Sequence, residues 1–306
     1  HTNSLCYYVL EAYIGGEIME QKYMDLKLGE KGVILSIFVY LCLSTLKLVF
    51  GYTANSEALK ADGLNNTTDI IASIAVLIGL KISQRPADKD HPYGHWKAET
   101  VASMVAAFIM VGIGLYVLYN AILSVFDKTI SEPDWISALT GLFCAVIMYG
   151  VYIYNRNLAR KINSQSVMAA AKDNLSDAWV SIGTVIGITG SQFGLPWLDP
   201  VTAVVVGLLI VKTGWDIFRE ASHDLTDGFD EEQLKDYKNS ITNISGVKGV
   251  KEIRARKYGN NPVVDVIILV NSTLDIGAAH DISMAVEDVL MKEYNVFEVH
   301  VHVEPN

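Results

Sequence analysis

The chain has 306 residues, 51% of them hydrophobic, a formal net charge of −10 and a positive mean hydropathy. That length holds two or more domains, and the acidic balance argues against a nucleic-acid binder, which carries a basic face. Its three cysteines, Cys6, Cys42 and Cys144, share no CxxC spacing, so neither a disulfide framework nor a thiolate zinc site is expected; they read as buried, reduced and inert.

The opening HTNSLCYYVLEAYIGGEI lacks the basic start, long apolar core and small-residue cleavage site of a signal peptide. Met19 is a more natural start, so residues 1–18 are set aside, and 1–28 as a whole reads as a cytosolic segment. A spanning helix needs roughly 20 mostly apolar residues. Four segments stand out: 32–52, whose one charge is Lys47, and the uncharged runs 100–126, 135–154 and 178–198. Two weaker candidates are 60–80, KADGLNNTTDIIASIAVLIGL, and 199–215, DPVTAVVVGLLIVKTGW. One such run fits a soluble core helix, but so many together predict six transmembrane helices over 29–217.

Basic residues set the orientation. Arg85, Lys89 and Lys97 follow the second span, and Arg156, Arg160 and Lys161 follow the fourth, whereas Lys128 is balanced by Asp127, Glu132 and Asp134. Both termini are therefore expected in the cytoplasm, beside Lys22, Lys27 and Lys31, in a multi-pass protein of the cell membrane. From about His223 the chain turns polar. DEEQLKDYKNSITNI has helical periodicity, VKEIRARKYG and PVVDVIILVNS alternate like strands, IGAAHDISMAVEDVLMKEYN is again helical, and VFEVHVHVEP closes as a strand. Residues 218–306 are thus expected to form a small cytosolic α+β domain, αββαβ, with its helices on one sheet face.

The second span carries its own chemical puzzle. Asn65 and Asp69 are four residues apart and share a helix face, with Asp62 one turn earlier on roughly the same face. AAKDNLSDAWVSIG repeats the arrangement with Asp173 and Asp177, opening the fifth span. Two packed helices with such stripes line a pocket with three carboxylates and one amide oxygen. Acids that solvate helix first turns are the plain alternative. It handles the duplication poorly, because ionisable groups inside spans are rare and mark ion or proton pathways. Carboxylate and amide oxygens are hard ligands suited to Mn²⁺, Mg²⁺, Ca²⁺ or Fe²⁺, whereas zinc prefers an imidazole or thiolate, and neither stripe has His or Cys. Crowded carboxylates also repel one another, so metal and protons compete for the same oxygens.

Here the chain resembles the cation diffusion facilitator family of proton-coupled divalent metal exporters. The resemblance covers nearly everything after about residue 25 and rests on ADGLNNTTD, DKDHPYGHWKAE, DNLSD and the closing VHVEP. It implies a homodimer in the lipid bilayer, alternating access, and a transport site of Asn65, Asp69, Asp173 and Asp177, with Asp62 in support. The absence of His from that set is similar to the manganese branch. Asp88, His91 and His95 have the spacing of a second metal site in some relatives; alternatively the histidines and PYG fix a turn. Lys97 and Asp227 match a charge interlock. In the tail, His280, His302 and Glu304 match positions where relatives hold metal between subunits; His300 is expected on the opposite side, and Asp265 is a possible substitute ligand.

The expected function is therefore export of Mn²⁺ from the cytoplasm in exchange for protons, with no resident cofactor and no nucleic-acid partner. No HExxH, phosphate-binding glycine loop or nucleophile–base motif points to an enzyme. Three rivals remain: an exporter of Zn²⁺, Fe²⁺, Co²⁺ or Cd²⁺ on the same fold, an intramembrane metal enzyme, and a metal-sensing scaffold that transports nothing.

Overall fold

The computed structural model describes residues 34–83, 85–126, 133–161, 165–259 and 261–306. The expected segment 1–28, Lys31, the start of the first span and the loop around Lys128 lie outside those residues. The chain runs through α1 (Ile34–Thr53), α2 (Glu57–Ser83), α3 (Ala98–Phe126), α4 (Trp135–Lys161), α5 (Gln165–Gln192) and α6 (Leu198–Leu225). Then come α7 (Glu231–Thr242), β1 (Gly249–Tyr258), β2 (Asn261–Val270), α8 (Ile276–Tyr294) and β3 (Glu298–Pro305), the expected αββαβ order.

The fifth helix differs from its expected span of 178–198. It starts at Gln165 and ends at Gln192, and α6 already begins at Leu198. The run SVMAAAKDNL is rich in strong helix formers, which extend the helix N-terminal to its apolar stretch. Gly194, at φ 89°, and the following Leu-Pro end it. Asp173 and Asp177 consequently sit turns inside α5 rather than at its opening. Among the described residues α1, α2, α3, α4 and α6 are long and apolar enough to cross a membrane by length and composition. Helix α5 carries Lys172, Asp173 and Asp177.

By contacts the chain forms two compact units, one of residues up to Ser73 with Met110–Lys212, the other of Ile74–Ile109 with Thr213–Asn306. In the second, the sheet has the order β1-β2-β3, with β1 and β2 antiparallel and β2 and β3 parallel. A parallel pair needs a crossover, and α8 supplies it. Val264, Val266, Ile268 and Val270 alternate along β2 into one core with Tyr237 and Ile241 of α7 and Val286 and Leu290 of α8. Side chains of Asp230 and Asp275 cap α7 and α8, and Asn295, left-handed at φ 55°, closes α8.

The first unit inverts the polarity of a soluble protein. Phe38, Leu41, Leu139, Phe143, Val146, Ile186 and Leu208 are exposed, while Ser36, Ser44, Lys47, Asn66, Asn155, Asn174 and Ser181 are buried. Apolar outside and polar inside is what a lipid solvent selects. Cys144 is buried as expected, but Cys42 is exposed on α1, where an apolar solvent accepts it. Helix α1 crosses α2 at Gly63, where a Cβ would lie 3.0 Å from the Leu48 side chain and 3.1 Å from Lys47 Cβ. The bare backbone lets Ser44 Oγ donate to the Gly63 carbonyl at 3.0 Å.

Asp199, buried in the first turn of α6, holds the N-terminus of α2. Its carboxylate accepts from Ser56 Oγ at 2.6 Å and from the backbone N–H groups of Glu57 and Ala58 at 2.7 and 3.3 Å. These amides have no partner within their own helix, so a carboxylate there satisfies the helix end. Asp199→Ala is expected to destabilise the protein by about 1–3 kcal/mol, the cost of stranding buried donors. Thermal melting in detergent checks this, with Asp199→Asn, which keeps one acceptor, falling in between.

Candidate metal centre

Helices α2 and α5 meet at Asp177. Asn65 Nδ2 donates to Asp177 Oδ1 at 3.1 Å, joining the two stripes read from the sequence. From α1, the Tyr40 hydroxyl donates to Asp177 Oδ2 at 2.5 Å. Tyr40 in turn accepts from Asn174 Nδ2 at 2.9 Å, and Asn174 Oδ1 accepts from Asn155 Nδ2 at 2.9 Å and from Ser36 Oγ at 3.3 Å. Asp177 is 7% exposed, and Asn174 and Asn155 are buried still deeper.

Asp69 has a buried Oδ2 with no hydrogen-bond partner among the described residues. Its electrostatic neighbours include Asp177, Asp173 and Lys47. Asp173 is exposed. Asn65 and Asp177 are thus brought together and Asp69 and Asp173 lie in charge range, but the ligand atoms of Asp69, Asp173 and Asp177 do not all come within 4.8 Å of one another. As a set the groups offer hard oxygens without imidazole or thiolate.

Asp62 stands apart from that set. Lys47 Nζ reaches Asp62 Oδ1 at 2.8 Å, Asn66 Oδ1 at 2.5 Å and Ser181 Oγ at 2.8 Å, with both charged side chains wholly buried. The resemblance implies a supporting place for Asp62, and nothing in the sequence assigns Lys47 a partner. Tyr40, Ser36 and Asn155 carry no periodic spacing that marks them in the sequence, whereas Asn174 lies within DNLSD, between the two carboxylates of α5. Lys47 had one usable signal, as the sole charge of its span.

In the second unit, Asp88, His91 and His95 do converge, with one ligand atom from each within 4.8 Å of the others. Asp88 Oδ1 lies 3.2 Å from His91 Nδ1, and Oδ2 lies 3.5 Å from His95 Nε2. The turn of the alternative reading is also present: Asp88 Oδ1 accepts from the His91 and Asp90 amides, and Gly94 has φ 81°. These donors, the His91 amide foremost, hold the exposed Asp88 carboxyl below its ordinary range. Lys97 Nζ sits 3.0 Å from Asp227 Oδ1, an interaction within one chain.

The tail residues do not converge within one chain. His280 is exposed on α8, and Glu304 is gripped by Lys251 Nζ at 2.9 and 2.6 Å, with His302 Nε2 3.8 Å away. His300 was expected on the opposite side from His302 and Glu304. Strand period 2 puts all three on one face, and His300 Nδ1 is 3.1 Å from Asp265 Oδ1, its direct partner in register. Asp265 also accepts from Arg256 at 2.8 Å.

Comparison with known proteins bears on these geometries. Residues 33–226 match the family model described as cation efflux transmembrane domain, and 229–306 match the one described as cation efflux protein, cytoplasmic domain. The manganese efflux system protein MneS of Bacillus subtilis (strain 168) is 54% identical over 93% of this chain and 98% of its own length. The manganese efflux system protein MneP of the same organism is 32% identical over 91% and 97%. A solved structure of a MamM CTD variant matches 25% of this chain and 96% of its own at 27% identity, with a TM-score of 0.24.

The buried pair gives this region its testable energetics. Lys47→Met strands the Asp62 carboxylate and is expected to cost about 3–5 kcal/mol, while replacing both partners, Lys47→Met with Asp62→Leu, restores much of that loss. Thermal melting of the two variants in detergent measures the difference; equal stability would remove the pair from the account.

Proposed function

The chain belongs to the cation efflux, or cation diffusion facilitator, family, and from that premise we propose that it is a homodimeric antiporter that moves Mn²⁺ out of the cytoplasm in exchange for protons. One observation carries the choice of ion: where Asn65 Nδ2 of α2 donates to Asp177 Oδ1 of α5, the side chains brought together offer only carboxylate and amide oxygens to a metal, beside an Asp69 Oδ2 without a hydrogen-bond partner among the described residues. Hard oxygens favour Mn²⁺ over zinc, and two relatives matched over nearly their full length, MneS and MneP, are named for manganese efflux.

In this reading Asp69, Asp173 and Asp177 bind the ion and take up protons when it leaves. Asn65 turns its amide oxygen toward the ion and sets preference among metals. Helices rock about the site, opening it to one side and then the other. Asp88, His91 and His95 form a second, exposed ion site, supported by the 4.8 Å clustering of their ligand atoms. The protein sits in the cell membrane with both termini cytoplasmic, as the bases at Arg85, Lys89, Lys97, Arg156, Arg160 and Lys161 favour. Residues 229–306, which match the cytoplasmic domain of the family, hold the dimer together.

Mn²⁺ and Zn²⁺ flux into proteoliposomes under an imposed pH gradient tests this reading. Gradient-driven Mn²⁺ flux is expected to exceed Zn²⁺ flux and to vanish in Asp177→Ala. Asn65→His is expected to move preference toward zinc. Wild-type flux dominated by zinc would overturn the metal assignment, and Mn²⁺ flux indifferent to the gradient would overturn proton coupling.

A further inference from the structure

The two hydrogen bonds on Asp177 are unequal. Asn65 Nδ2 approaches Oδ1 at 3.1 Å, toward the upper end of the ordinary range for a neutral amide donor. The Tyr40 hydroxyl approaches Oδ2 at 2.5 Å, in the range of strong bonds from a hydroxyl to a carboxylate. A tyrosine has a single O–H to give, and here it has no freedom over where to give it. Asn174 Nδ2 occupies the acceptor side of that hydroxyl at 2.9 Å, and Asn174 is itself held by Asn155 and Ser36. The donors from Asn155 through Asn174 to Tyr40 all run toward Asp177, and bonds aligned this way strengthen one another. Tyr40, Asn155 and Asn174 are 5%, 0% and 1% exposed, so water does not compete for them.

An ion arriving at Asp177 therefore meets one oxygen that is easily released and one that is not. The geometry points to Tyr40 as a selectivity-determining positioning residue, which keeps Oδ2 engaged and restricts Asp177 to binding the ion through Oδ1 alone. The consequence differs between metals. Octahedral oxygen-ligated ions such as Mn²⁺ are satisfied by carboxylates that give one oxygen each. Calcium takes six to eight oxygens at about 2.3–2.6 Å and gains from carboxylates that give two. A carboxylate pinned at Oδ2 withholds the second oxygen. Tyr40 thus favours the smaller coordination sphere without touching the ion, and without adding a charge to it.

This inference rests on Asp177 being a ligand, and the test separates the two claims. Mn²⁺ and Ca²⁺ binding to the full-length protein in detergent is measured by calorimetry for wild type, Tyr40→Phe, Asn174→Ala and Asp177→Ala. Tyr40→Phe removes one oxygen and keeps the ring packing. It is expected to weaken Mn²⁺ binding about tenfold, the lower end of the usual loss for a group supporting a ligand. Ca²⁺ binding is expected to hold or strengthen, so the Mn²⁺-to-Ca²⁺ preference falls by at least the same factor. A purely structural Tyr40 would weaken both ions together, and an unchanged ratio in folded Tyr40→Phe overturns the inference. Asn174→Ala leaves the hydroxyl but removes the donor that aims it; a shift of the same sign and smaller size is expected, and this variant decides the matter if Tyr40→Phe does not fold. Undiminished Mn²⁺ binding in Asp177→Ala would instead overturn the site itself.

Discussion

Carboxylates are buried among helices whose outer faces suit lipid, and everything else about the helical unit follows from how each is compensated. Moving an unpaired carboxylate into a low-dielectric interior costs several kcal/mol or more. Among the described residues, Asp62 is the member of the group Asp62, Asp69, Asp173 and Asp177 that has an ammonium within ion-pair distance, from Lys47. Asp177 is compensated by neutral donors, Tyr40 and Asn65, which reduce the cost without cancelling the charge. Asp69 keeps a buried oxygen without a partner among the described residues. One charge is thus fixed structurally, and the remainder, in the proposed function, are neutralised by a divalent cation or by protons. The same residues that would be a folding liability in a closed helical bundle would, under the proposed function, give an ion a reason to enter it.

The supporting parts have separate jobs. Gly63 allows α1 close enough to α2 for Lys47 to reach Asp62 and for Ser44 to reach the Gly63 carbonyl. Asp199 fixes the start of the helix that carries Asn65 and Asp69. Tyr40 fixes the carboxylate opposite them. The α+β unit has a conventional apolar core between one sheet face and two capped helices, and its other face mixes Asp265, His300, His302 and Glu304 with Ile267 and Leu269. On that face Lys251 already satisfies Glu304 and Arg256 already satisfies Asp265. A metal shared there between subunits has to displace a base first, which makes that face a weaker candidate for an ion than the oxygens at Asp177.

Periodicity made much of this legible in the sequence. The i, i+4 stripes at Asn65/Asp69 and Asp173/Asp177 are visible without a structure, and the Asn65–Asp177 contact links them. The order of elements in the α+β unit was legible because its helices and strands have distinct periods and turn residues between them. Hydropathy misled where a helix outlasts its apolar stretch, as α5 does in starting at Gln165. It was also blind to Tyr40, a lone polar group in the apolar run SIFVYLCL, and to the roles of Asn155 and Asn174, which stand among charged and polar neighbours in NRN and KDNLSD and so carry no signal of their own. Partners across strands, such as Lys251 with Glu304, depend on register through β2, which no local pattern encodes. His300, by contrast, is legible locally: strand alternation alone puts it beside His302 and Glu304.

The central claim is that the transported ion is held where α2 meets α5. Anomalous scattering at the manganese edge, from crystals of the full-length protein grown with Mn²⁺, tests it most directly. The expected peak is bounded by Asn65, Asp69, Asp173 and Asp177, with the Tyr40 hydroxyl still on Asp177 and Lys47 still on Asp62. Manganese found at Asp88, His91 and His95 with none between α2 and α5 would contradict it.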